Sequence, residues 1–176
     1  MEFAEALKEW REFYLLVGTA GATLLALLFV AVSLGAGFLT EQRQAATRTF
    51  MSPVVIHFTS VFFASAIAMV PAHGQEFYAV LFGATAVIGA AVSSVITVQV
   101  LRTDMTRYWQ DYLAYGLLPL VGYVALLAAA AIFALGGPVA PDVLAGSLLL
   151  LTIVNIRNVW DLMLTMVRRH RSSDEP

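Results

Sequence analysis

Two opposite charges stand inside the last apolar stretch of this chain. They are Arg157 and Asp161, in the run Asn155-Ile156-Arg157-Asn158-Val159-Trp160-Asp161. Four positions apart on a helix, a guanidinium and a carboxylate can meet across one turn. Pairing offsets part of the cost of holding an arginine in hydrocarbon, about 2.5–3.5 kcal/mol on insertion scales. At 100° per residue, Arg157, Asp161, Asn158 and Asn155 share one broad face of about 160°. Leu148, Leu149, Ile156, Val159 and Leu162 occupy much of the rest. The chemistry this suits is passage or selection of an ion or small solute, with Arg157 as the selecting charge and Asp161 its counter-ion. Asn155 and Asn158 would line the path. A second reading stands beside it: Arg157 snorkels to the cytoplasmic headgroups, Asp161 touches water and Trp160 joins the inner aromatic belt.

Two further polar groups are expected at the same depth. His57 lies one turn past Pro53 on a face shared with Ser60 and Ala64, and Gln99 ends the third apolar stretch. Together with the first four they outline a polar recess opening to the cytoplasm. A lone histidine on such a small-residue face is more often a satisfied packing histidine than a ligand or proton carrier. Neither the serine nor the metal signature of an intramembrane enzyme accompanies His57 and Asp161, so no enzyme is expected. The chain has no cysteine, which excludes disulfides and thiolate chemistry, and its three histidines (His57, His73, His170) are scattered. No metal and no cofactor is implied.

These residues must be positioned by membrane helices. Of 176 residues 60% are hydrophobic and 12% charged, with a mean hydropathy of +0.80. A soluble domain carries about 25% charged residues, so the polar surface here is too small to cover a water-soluble globule. The pattern is that of an all-α integral membrane protein, and the net charge of −2 gives no footprint for nucleic acid. Membrane lipids are the expected surroundings, in the cell membrane (the inner membrane in a bacterium).

Five stretches approach the ~20 residues that cross a bilayer, at roughly 13–38, 53–71, 77–101, 112–135 and 143–167. The expectation is a five-transmembrane-helix bundle forming one membrane domain over 1–176, with a basic then acidic tail at 168–176. The second stretch is the shortest and most polar. The N-terminus is acidic and its apolar run too long for a cleaved signal, so the first stretch reads as a retained helix. Ahead of it Phe3, Ala6, Leu7, Trp10 and Tyr14 recur at spacings of three and four among glutamates, an amphipathic N-terminal helix.

Lysine and arginine fall unevenly about these spans. Lys8 and Arg11 precede the first, while Arg43, Arg48, Arg102, Arg107, Arg168, Arg169 and Arg171 all fall on the opposite side. The positive-inside rule therefore places the N-terminus outside and the C-terminus in the cytoplasm. Connections are too short for a soluble domain. Leu39–Ser52 reads as a loop, and Pro119 between Gly116 and Gly122 reads as a kink or hinge in the fourth span.

Membrane helices associate through close backbone approach and polar contacts. The first span offers Gly18 and Ala22, the second Ser60, Ala64 and Ala68, and the third Gly89, Ser93 and Thr97. The translocator/tryptophan-rich sensory proteins also have five spans in a chain of this length. This sequence has only Trp10, Trp109 and Trp160 and lacks their Trp/Pro pattern, so the match is rejected. The leading expectation is a small homo-oligomeric channel or transporter. The alternative is a non-transporting accessory or scaffold protein that binds another membrane protein through its small-residue faces.

Overall fold

The computed structural model describes residues 3–35, 41–71, 74–102 and 113–171. Among them the chain is helical, with no strand. Helix α1 (Phe3–Glu9) leads into α2 (Arg11–Gly35), followed by α3 (Glu41–Ala68) and α4 (Gln75–Arg102). A π-helical turn (Leu113–Leu117) then opens α5 (Leu118–Ala134), and α6 (Ala140–Arg171) completes the bundle.

The N-terminal periodicity becomes a short amphipathic helix. Ala6 and Leu7 are buried while Glu5, Lys8 and Glu9 face outward. At the α1–α2 junction Trp10 packs edge-on against Phe13, ring centroids 5.2 Å apart. Tyr14 donates to the Pro141 carbonyl at 2.8 Å, so α2 and α6 begin at the same end of the bundle.

Four segments are long and apolar enough to cross a membrane: Arg11–Ser33, Gln75–Val98, Leu113–Ala134 and Ala140–Asp161. The second expected span differs. Its apolar part is Pro53–Ala68, about 24 Å long at 1.5 Å per residue. The polar stretch ahead of it is no loop from Glu41 onward but the first half of the same helix. Glu41, Gln42, Arg43, Gln44, Ala45 and Ala46 are strong helix formers, which accounts for the early start. Pro53 sits inside α3 and removes only one ladder hydrogen bond.

Neighbouring helices run antiparallel, as close approaches at glycines show. A Cβ at Gly18 would lie 2.8 Å from the Ser65 Cβ and one at Gly21 3.4 Å from Val61, pairing α2 with α3. Gly89 faces Tyr123 and Gly116 faces Thr97, pairing α4 with α5. Gly122 faces Leu151, pairing α5 with α6. At the end of α5, Gly136 takes φ 69°, the left-handed conformation that closes a helix.

One core cluster holds Tyr14, Phe82, Phe133, Leu144 and Leu148; a smaller one joins Leu28, Val54 and Phe58. Leu16, Val80, Ile88 and Ile153 are more than 60% exposed, so large apolar side chains face outward. A bundle apolar on its outside, with its polar groups gathered inside, is built for lipid rather than water.

Candidate functional site

The inward polar groups form a ladder along α3, α5 and α6. Its upper rung is His57, Ser60 and Tyr123, all buried. The Tyr123 hydroxyl lies 2.8 Å from His57 Nδ1 and donates to Ser60 Oγ at 3.1 Å. A phenol has one proton, so with that proton on Ser60 the matching histidine tautomer carries its own on Nδ1. Position 89 makes room for the ring, since a Cβ there would fall 1.9 Å from Tyr123 Cε1. Only glycine fits.

Next along the ladder, Asn155 and Asn158 lie on the buried side of α6, at 1% and 2% exposure. Asn155 Nδ2 donates to the Val54 carbonyl of α3 at 2.9 Å. Asn158 Nδ2 donates to the Ala114 carbonyl of the π-helical turn, also at 2.9 Å. Each amide is oriented by that bond, because only nitrogen can donate to a carbonyl. The opposite atoms, Asn155 Oδ1 and Asn158 Oδ1, have no hydrogen-bond partner among the described residues; the same holds for Ser65 Oγ and Ser93 Oγ.

The lowest rung is Asp161, half-buried. The Tyr115 hydroxyl is 3.0 Å from Asp161 Oδ2 and 3.2 Å from the Asn158 carbonyl. Tyr115 is presented by the π-helical turn. Pro119, four residues on, has no N–H to offer the Tyr115 carbonyl and would crowd it in a regular helix. The wider π turn relieves that crowding and swings Tyr115 toward α6.

Of the six residues expected in the polar recess, the structure brings Asn155, Asn158 and Asp161 to one side of α6 and His57 to the facing helix. Arg157 does not join them: it is exposed on the outer side of α6, beside Ile153, Ile156 and Trp160. Tyr115 is among the partners of Asp161. The side chain of Gln99 lies outside the described residues. Among the packing residues, Gly18 meets Ser65, Gly89 meets Tyr123 and Thr97 meets Gly116, while Ser93 is fully buried and Ala22 half-buried.

Sequence reasoning missed Tyr115 and Tyr123. The available signal was a tyrosine beside each of Gly116 and Gly122, opposite a small-residue stripe on the third span. Read alone, a membrane tyrosine suggests packing or the interfacial belt. Among the described residues no three His, Cys, Asp or Glu side chains gather into a metal-binding group. Comparison with protein-family models, curated proteins and solved structures finds no match.

Proposed function

We propose that this chain is a small membrane transport protein passing an ion or small solute along the inner face of α3, α5 and α6. One observation carries the reading: a polar ladder inside a mostly apolar bundle, from buried Ser60, Tyr123 and His57 through buried Asn155 and Asn158 to half-buried Asp161. Polar and ionisable groups at membrane depth are costly, and they mark ion and solute pathways. The scaffold reading loses its main support, because the small-residue faces meant for a partner are occupied within the chain.

Five crossings, the N-terminus outside, the C-terminus in the cytoplasm and residence in the cell membrane belong to the same proposal. So does a homo-oligomer, since a single 19.0 kDa bundle encloses little space. Arg157 passes from selecting charge to a residue of the outer face, at the level of the inner headgroups.

Flux from liposomes separately loaded with sodium, potassium or chloride tests the reading. Wild type is expected to pass at least one of these selectively. Asp161→Asn and Tyr123→Phe are expected to cut that flux, whereas Arg157→Ala retains it. Absence of flux from wild type, or full flux from Asp161→Asn, refutes the proposal.

A further inference from the structure

The exposed carboxylates among the described side chains gather at one end of the bundle. Glu5, Glu9, Glu12, Glu76 and Asp142 lie at or before the starts of α2, α4 and α6. Arg157 is exposed far from them, about 26 Å along α6 from Ala140 at 1.5 Å per residue. In a hydrocarbon core of about 30 Å that depth is just inside the opposite interface. Its exposed neighbours are apolar on both sides, Ile153 and Ile156 before it, Trp160 and Leu164 after it. A guanidinium stays charged at any depth and offers five N–H donors in a planar fork. A bidentate carboxylate engages two of them, so donors remain on the lipid side whatever else Asp161 binds.

We infer that Arg157, with Trp160 beside it, binds the phosphate of an anionic phospholipid on the outer face of α6. A phosphodiester is the acceptor a bilayer supplies at this depth, and the guanidinium fork fits it with two parallel bonds. Trp160 is three residues on and exposed, and its indole N–H is a donor of the kind that settles among headgroups. The acyl chains lie back along the exposed Ile156, Ile153 and Leu149. The helix runs on to Arg171, and positions 168 and 171 return to within about 40° of position 157 at 100° per residue. Basic positions beyond the interface attract anionic rather than zwitterionic lipid. A second copy of the chain lying parallel to the first would bring none of the exposed carboxylates named above to this level. The site is separate from the polar ladder and does not rest on the transport reading.

The test melts the full chain in maltoside micelles with dioleoyl phosphatidylglycerol, with the matching phosphatidylcholine, with dioleoylglycerol and with inorganic phosphate. Phosphatidylglycerol is expected to raise the melting temperature saturably, as a ligand of the native state does. Phosphatidylcholine should act more weakly, and the phosphate-free lipid and the free phosphate should not act. Arg157→Ala is expected to bind phosphatidylglycerol about tenfold more weakly. Arg157→Lys, which keeps the charge but not the fork, should fall between. Both variants should melt near wild type without lipid, because position 157 is exposed.

An equal rise from dioleoylglycerol, phosphatidylcholine or inorganic phosphate overturns the inference, as does a wild-type phosphatidylglycerol response in Arg157→Ala. A smaller particle mass for Arg157→Ala in lipid-free detergent would make a second copy the occupant and overturn it too. Should Arg157→Ala melt low without lipid, the wild-type contrast between phosphatidylglycerol and dioleoylglycerol decides alone.

Discussion

Tyr123 holds His57 at 2.8 Å and Ser60 at 3.1 Å with one oxygen, and its ring fills the space a side chain at position 89 would need. Removing that oxygen by Tyr123→Phe leaves two buried polar groups short of a partner. The expected loss is about 1–3 kcal/mol, the cost of an unsatisfied buried group, measured by unfolding in mixed detergent micelles. Gly89→Ala is expected to cost about as much or more for a steric reason, since overpacking a tight core costs roughly 1–3 kcal/mol. The two changes touch one ring, so they should not add. Gly89→Ala placed in a Tyr123→Leu chain, where the ring is gone, should cost far less than in wild type. Equal costs in both backgrounds would show that the glycine answers to some other contact.

Pro119 acts on a longer piece of chain. The π-helical turn at Leu113–Leu117 presents the Ala114 carbonyl to Asn158 and the Tyr115 hydroxyl to Asp161. Pro119→Ala restores a donor for the Tyr115 carbonyl, and the turn is expected to rewind as regular helix. Rewinding rotates residues 113–117 against α6 and breaks both contacts. Faster amide exchange at the inner end of α6 is the expected signature, with little change near Ala140. If exchange at the inner end is unaltered, contacts with α6 rather than the proline set the turn. Pro119 was legible in the sequence as an irregularity, but its form was not, because only tertiary contacts choose between a kink and a π turn. The same limit explains Arg157. A helical wheel sorts residues around an axis and grouped Arg157 with Asn158, yet it cannot say which arc of that face meets a neighbour. Asn155, Asn158 and His57 were found because polar atoms in an apolar run declare themselves. Tyr115 and Tyr123 were not, because an aromatic ring conceals its one polar atom. Four of the spans were readable from hydropathy alone. The early start of α3 was not, since a polar helix carries no hydropathy signal.

Whether α3 crosses the membrane is a property of the whole molecule. Its apolar part, Pro53–Ala68, reaches about 24 Å against a hydrocarbon core of about 30 Å. Two features favour a crossing. The helix continues beyond Pro53 back to Glu41, and α3 lies antiparallel to α2, with Gly18 against Ser65 and Gly21 against Val61. A short apolar segment is matched by local thinning of the bilayer or by snorkelling of flanking side chains, and Arg43 and Arg48 precede Pro53 in the sequence. The chain contains no cysteine, so single introduced thiols report without background. Gly74→Cys and Val139→Cys are expected to react with a membrane-impermeant maleimide on intact cells. Glu41→Cys and Thr103→Cys should react only after the cells are opened. That pattern requires α3 to cross, because Glu41 and Gly74 bracket it. If Glu41→Cys and Gly74→Cys label together from one face, α3 does not cross. The sides assigned to the segments following it would then exchange relative to the N-terminus. Asp161 would move to the outer surface, and the polar ladder would open away from the cytoplasm.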